Sequence, residues 1–168
     1  MITGIGILKM IVGKENEMDI GSGKGYPSSS LSNFAPHPFV IDGVECNSME
    51  GFLQSLKFKQ PDMQKFVCKL VGKAAKFKGK KKSWWKTQKL HWNGREYDRH
   101  SDEYQHLLNR AYAALGKNSS FQRALLATGN SPLTHKIGKS NAKETILTER
   151  EFCSRLEILR KKLQKESS

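Results

Sequence analysis

The sequence predicts an α+β fold, mainly α-helical with a small N-terminal β-sheet or hairpin. Three observations carry that prediction. Asp42-Gly43 lies between the short apolar runs Phe39-Val40-Ile41 and Val44-Glu45-Cys46, the pattern of two strands joined by a two-residue type I′ turn. Beyond residue 48 the apolar positions recur at i, i+3, i+4 and i+7, the period of helices with one buried face. The chain has 168 residues, 37% of them hydrophobic, enough for one core and too few for two, so a single domain spans residues 1–168.

Residues 5–12 form an apolar run that predicts an N-terminal strand, followed by a Gly/Ser loop over residues 21–30. Together they make a variable N-terminal segment, residues 1–30, ahead of the 39–46 hairpin. Asn47 and Ser48 mark the start of a helix with Met49, Phe52, Leu53 and Leu56 on its inner face. A second helix follows Pro61-Asp62 with Met63, Phe66, Val67, Leu70 and Val71 inward, up to Gly72. Residues 73–77 add a short turn, and residues 83–92 are weakly patterned as helix. The clearest helix covers 101–115: Asp102 and Glu103 in the first turn suit its partial positive charge, Tyr104, Leu107, Leu108, Ala111, Tyr112 and Leu115 form one stripe, and Gly116 stops it. A short helix at 121–128 is capped by Ser119 or Ser120 and ended by Gly129. Residues 130–141 are a polar loop with extended structure around 133–137. Thr148 and Glu151 have the spacing of a capping box, opening a last helix with Phe152, Leu156, Leu159 and Leu163 on one face and a tail that frays over residues 166–168.

The formal charge is +13, which points to a polyanionic or phosphorylated partner. That charge is local: residues 57–89 hold twelve lysines against one acid, Asp62, and so carry +11 of the total. Cys46, Cys68 and Cys153 form an odd set without a C-x-x-C pair, which fits neither a disulfide framework nor a zinc finger and places the protein in a reducing cytoplasm, the host's if the protein is viral. No run approaches the ~18–20 apolar residues of a membrane span, and the start has no signal-peptide pattern, so no membrane partner is expected. Gly21-Ser22-Gly23-Lys24-Gly25 matches no nucleotide-binding loop. The histidines His37, His91, His100, His106 and His135 lack metal-ligand spacing, and neither a metal nor a cofactor is expected.

The most informative stretch runs through residues 31–58. It contains Ser32-Asn33-Phe34, then Asp42-Gly43, then Glu50, then Gln54-Ser55-Leu56-Lys57-Phe58. In this order the residues resemble the YbiA-like or NADAR (NAD and ADP-ribose associated) family. Weaker echoes are Ala74-Ala75 with Gly79, Trp85 followed by Lys89, and Leu125-Leu126-Ala127-Thr128, so the resemblance covers residues 32–129. The lysine-rich composition and short length suit a bacteriophage member. Residues 131–147 depart from the family pattern, lacking the tryptophan and the aspartate that members carry there. A carboxylate from that loop is missing or replaced, and Glu144 is the nearest one. The resemblance implies a YbiA-like fold and hydrolysis of N-glycosidic bonds, either in a phosphoribosylated riboflavin-pathway intermediate or in ADP-ribose attached to guanine.

Cleavage of a ribosyl C–N bond builds positive charge on the sugar, which a nearby carboxylate stabilises while it orients or deprotonates water. Glu50 is the candidate catalytic residue. On a helix Glu50, Gln54 and Lys57 fall at i, i+4 and i+7 and form a polar stripe suited to a sugar and its phosphate. The competing reading of Glu50 is structural, because Asn47 to Glu50 also has capping-box spacing. Asn33 is placed on a ribose hydroxyl and Phe34 on a base, against the alternative of a turn with a buried aromatic. Lys57 is a candidate phosphate ligand or simply a solvated face. Trp85 is a candidate substrate-binding ring, one of Trp84 and Trp85 belonging to the core. Lys80, Lys81 and Lys82 are a candidate nucleic-acid or phosphate surface, or a solubilising one. Because one tight hairpin separates Phe34 from Asn47, residues 33, 34, 50, 54 and 57 are expected to line one cleft. The expected function is an N-glycosidase acting on a ribosylated or ADP-ribosylated base, with nucleic acid as a further partner; the alternative is a catalytically silent module binding ADP-ribose, NAD or nucleic acid.

Overall fold

A computed structural model describes residues 16–167. The strand expected over residues 5–12 lies outside them. The described residues form six helices and three two-stranded sheets, a helix-rich α+β arrangement. The strands are β1 (Met18–Asp19), β2 (Phe39–Ile41), β3 (Val44–Cys46), β4 (Lys89–Trp92), β5 (Arg95–Asp98) and β6 (Leu133–Thr134). The helices are α1 (Met49–Ser55), α2 (Pro61–Cys68), α3 (Gly72–Lys80), α4 (Asp102–Leu115), α5 (Ser119–Ala127) and α6 (Glu149–Glu166).

The first hairpin forms as the sequence predicts. Asp42 and Gly43 both take positive φ, 50° and 74°, the conformation a type I′ turn requires, and Phe39 pairs with Cys46 in antiparallel register. Asp42 also accepts hydrogen bonds from Trp92 Nε1 at 2.8 Å and Arg110 Nη1 at 2.6 Å, joining the turn to β4 and α4. Burial would raise its pKa, but these two donors outweigh that and hold the carboxyl below its usual value.

Residues 83–92 are not a helix. They begin with a 3-10 turn, Trp84–Lys86, and continue as β4, which pairs with β5 around Asn93-Gly94, both at positive φ (52° and 86°). This is a second type I′ hairpin. Its signal was the Asn-Gly pair itself, with Leu90 and Trp92 before it and Tyr97 after it buried.

Helix α2 is shorter than its apolar residues suggest, ending at Cys68, and its inner face is Gln64, Val67 and Cys68, with Phe66 exposed. The reason is competition for its last carbonyls. The chain entering α1 takes them: Asn47 N–H donates to Cys68 O, Asn47 Nδ2 to Lys69 O and Ser48 Oγ to Leu70 O, each at 2.9 Å. Once those carbonyls have partners outside the helix, further helical turns gain nothing from them. Buried Gln64 ties the same region together, donating to Phe58 O (2.8 Å) and His91 O (2.7 Å) and accepting from Asn93 N–H (3.0 Å). Residues 73–77, read as a short turn, lie within α3, which spans residues 72–80.

The core centres on α1. Phe52 is fully buried, with edge-to-face contacts to Phe39 (6.3 Å between centroids) and Trp92 (4.9 Å). All six stripe residues of α4 are buried, as are Phe152 and Leu156 of α6, while Leu159 and Leu163 are partly buried. Helix α6 continues through Glu166, further than the fraying tail predicts. Gly51 lets α1 reach the end of α2: a Cβ there would lie 2.6 Å from Leu70 O and 2.9 Å from Cys68 O. Because backbone must move to admit it, Gly51→Ala is expected to cost about 1–3 kcal/mol, read as a lower denaturant midpoint at unchanged slope.

Candidate functional site

The hydrogen bonds around the start of α1 bear on the capping reading of Glu50. Ser48 is the N-cap, its hydroxyl accepting from Gly51 N–H, so Gly51 occupies the position a capping-box glutamate would hold and Glu50 sits one residue earlier. The Glu50 side chain is therefore free of capping duty. Its backbone N–H donates to Asn33 O at 2.9 Å, which draws the 32–34 turn over the first turn of α1.

A cavity of about 510 Å³ opens there, within the range of sites that hold small ligands. The structure brings Asn33, Phe34, Glu50, Gln54 and Lys57 together on its wall, as expected. Helix α3 adds Lys76 and Lys80, and Trp84 lines it too. The chain between β6 and α6 contributes His135, Lys139 and Glu144.

Gln54 is 7% exposed and donates from Nε2 to Glu50 Oε1 at 2.8 Å, fixing the carboxylate. Its own Oε1 has no hydrogen-bond partner and lies against Gly79, where a Cβ would come within 1.8 Å. Gly79 thus makes room for the amide that orients Glu50, and Gly79→Ala is expected to displace Gln54 and break its bond to Glu50 without removing any charged group, read as a shift of the Gln54 side-chain amide NMR signals. Burial raises the Glu50 pKa, against the hydrogen bond from Gln54 and the charges of Lys57, Lys76 and His135. Burial likewise lowers the Lys57 pKa, opposed by Glu50. The cavity therefore holds a partly desolvated acid and base of opposite charge. Asn33 receives the Tyr112 hydroxyl on Oδ1 at 2.8 Å, which leaves its amide N–H groups for a ligand. The half-buried Phe34 ring sits under Lys76, whose Nζ is 6.0 Å from the centroid.

One expectation needs correction. Trp85 does not line this cavity; Trp84 does, 8% exposed, while Trp85 is 55% exposed. In a 3-10 turn, with about three residues per turn, neighbours point in different directions. Trp85 instead edges a shallower concavity with Gln88 and Lys143, which meets the main one at Lys139 and Glu144. Lys80, Lys81 and Lys82 are all exposed. Lys80 reaches the cavity, Lys81 lies over Phe77 at 5.3 Å and Lys82 over Phe58 at 5.0 Å.

Sequence reasoning missed Lys76 and His135. The signal for Lys76 was its i, i+4 spacing to Lys80, hidden by reading residues 73–77 as a turn; His135 gave no local signal. Among the described residues no group of three or more His, Cys, Asp or Glu side chains is placed to hold a metal ion, and no helix is long and apolar enough to cross a membrane. Cys46, Cys68 and Cys153 are all buried and free.

This fold is YbiA-like. The NMR structure of Escherichia coli YbiA aligns with a TM-score of 0.58 over 90% of this chain and 86% of that one, at 20% identity. Residues 25–161 match the model of the family described as bacteriophage protein GP30.3. A 17.1 kDa protein from the Gp30-rIII intergenic region of Enterobacteria phage T4 is 39% identical over 153 residues, 88% of this chain and 99% of the T4 protein. The chain belongs to the GP30.3 family, a YbiA-like phage family.

Proposed function

We propose that the protein is an N-glycosidase that hydrolyses the bond between a ribosyl or ADP-ribosyl group and a base. The observation that supports this most directly is the Glu50 carboxylate, released from capping, held by Gln54 and facing a cavity whose other charges are mainly lysines. In this reading Lys57, Lys76 and Lys80 take the substrate phosphate, Phe34 stacks on the base and the Asn33 amide donates to a sugar hydroxyl. Glu50 then lies beside the anomeric carbon, stabilises the developing positive charge and accepts a proton from the attacking water. Water adds to the anomeric carbon, the C–N electrons leave with the base, and the free sugar is the second product.

The test is incubation with an ADP-ribosylated guanine and with a phosphoribosylated pyrimidine, each followed by mass spectrometry. Release of free base from either supports the proposal. Tight binding without release means a silent binding module instead, a reading favoured by the replaced 131–147 segment.

The acid limb of the pH profile offers a separate check. Glu50 must be ionised to act, and burial has raised its pKa, so activity is expected to fall on acidification at a pH above the ordinary glutamate value of 4.5. Lys57→Met removes a charge that favours the ionised form and should move the limb still higher. A limb that stays put in this variant separates Lys57 from Glu50.

Nucleic acid is proposed as the partner of the basic surface around the cavity. Three exposed rings each carry a lysine: Phe66 with Lys78 (5.6 Å), Phe77 with Lys81 (5.3 Å) and Trp85 with Lys86 (5.5 Å). Rings that stack on bases, with cations beside them for phosphates, suit single strands. Affinity for an oligonucleotide should then fall steeply with salt, and neutralising Lys80, Lys81 and Lys82 should reduce the log-log slope by up to ~0.7 per lost contact on a single strand. An unchanged slope makes these lysines a solubilising surface.

A further inference from the structure

His135 lines the same cavity as Glu50, held in place by three contacts. Its Nδ1 is 2.7 Å from Ile20 O, a carbonyl that only accepts, so Nδ1 carries the proton. Its backbone N–H donates to Glu149 Oε1 at 3.2 Å, and Phe152 meets the ring edge-to-face at 5.1 Å. Gly138 leaves space for the ring, since a Cβ there would come within 2.5 Å of Cδ2. With Nδ1 committed to Ile20, Nε2 is the ring nitrogen left over, and it has no hydrogen-bond partner among the described residues. The charged groups around it are Glu50 of α1, Glu149 of α6 and Lys139 on the same wall.

We propose that His135 is the proton donor to the departing base, Nε2 delivering its proton to the base nitrogen as the C–N bond breaks. This rests on the glycosidase reading and assigns its second proton transfer. The balance closes: the C–N electron pair goes to the base nitrogen, which takes the proton from His135. Water oxygen bonds to the anomeric carbon, and its proton passes to Glu50. Afterwards Glu50 loses a proton to solvent and His135 regains one. Two groups brought to one cavity by different elements suit this division, one serving the water and the other the leaving base, which occupy opposite faces of the anomeric carbon.

The test uses His135→Asn, whose side-chain amide sits where Nδ1 does and so keeps the bond to Ile20 O while removing Nε2. Wild-type and variant proteins are compared on ribosylated purines and pyridines of graded leaving-group basicity, the pyridines leaving neutral without a proton. Loss of about 10²-fold or more on basic leaving groups, shrinking towards none for a pyridine such as the nicotinamide of NAD, supports the proposal. An equal loss across the series, or none, overturns it while leaving the glycosidase reading intact. A wild-type protein that cleaves no member overturns both. Ring 15N shifts in the unliganded wild type give a second readout: the neutral ring should carry its proton on Nδ1, and the opposite tautomer overturns the assignment.

Discussion

Glu50→Gln is expected to reduce single-turnover hydrolysis at least ~100-fold while leaving the protein as stable as before, or more so at neutral pH. The two effects share one cause. Glutamine keeps the shape and can still accept from Gln54 Nε2, so packing is undisturbed, but it cannot stabilise a cationic sugar or take a proton from water. Burial raises the Glu50 pKa in the fold above its unfolded value. A group shifted in that direction stabilises the fold most below the unfolded pKa and loses that contribution as pH rises through the folded one. At neutral pH ionised Glu50 therefore costs stability, and its removal relieves that cost. Thermal unfolding of the two proteins at pH 7 and again near pH 4 checks this: the gap should favour the variant at pH 7 and close on acidification. Undiminished turnover in the variant would end the catalytic assignment, and a large loss of stability would make Glu50 a structural residue after all.

The largest expected effect on stability lies at Arg99. Its side chain is 1% exposed, and its guanidinium donates to both Glu151 oxygens (3.1 and 2.6 Å) and from Nε to Thr145 O (2.9 Å), over the Tyr104 ring. Glu151 is also the second half of the α6 capping box, accepting from Thr148 N–H at 2.7 Å, and takes a further bond from Gln105. Removing one member of such a buried pair leaves the other charged and unpaired, which costs about 3–5 kcal/mol. At about 2–4 °C per kcal/mol for a domain of this size, Arg99→Met should lower Tm by roughly 10 °C. Arg99→Met with Glu151→Met should recover part of that loss, because no lone charge is then buried. A single-variant loss under about 1 kcal/mol would place the pair among surface ion pairs. The pH dependence has the opposite sign to that of Glu50. Burial would raise the Glu151 pKa, but bonds from Arg99, Thr148 and Gln105 outweigh it and hold it low. Its stabilisation is thus present above the unfolded pKa and disappears as pH falls through the folded one. The same variant should impair the site, since Arg99 holds Thr145 O, and Tyr104 donates to Ile146 O at 2.7 Å. Thr145 and Ile146 line the cavity.

Local chemistry made much of this molecule readable from its residues. Asp42-Gly43 specified its hairpin because few residue pairs accept two successive positive φ angles. The stripe of α4 specified a buried face, and Thr148 with Glu151 specified the start of α6, because each depends on neighbours within a turn or two. Glu50 and Gln54 fell on one wall because helical spacing puts them there, and Lys57 joins them from the turn just past the end of α1. The tertiary structure decided what depends on distant chain segments. Ser48 rather than Asn47 caps α1, and α2 stops at Cys68, because carbonyls some twenty residues away satisfy Asn47 and Ser48. Trp84 rather than Trp85 faces the cavity because of the 3-10 turn that carries them. His135 and Glu144 join Glu50 across more than 80 residues only because β6 pairs with β1 and Arg99 anchors Thr145. No pattern within a helical turn encodes such a meeting, since it is the closing of the core that brings the two segments together.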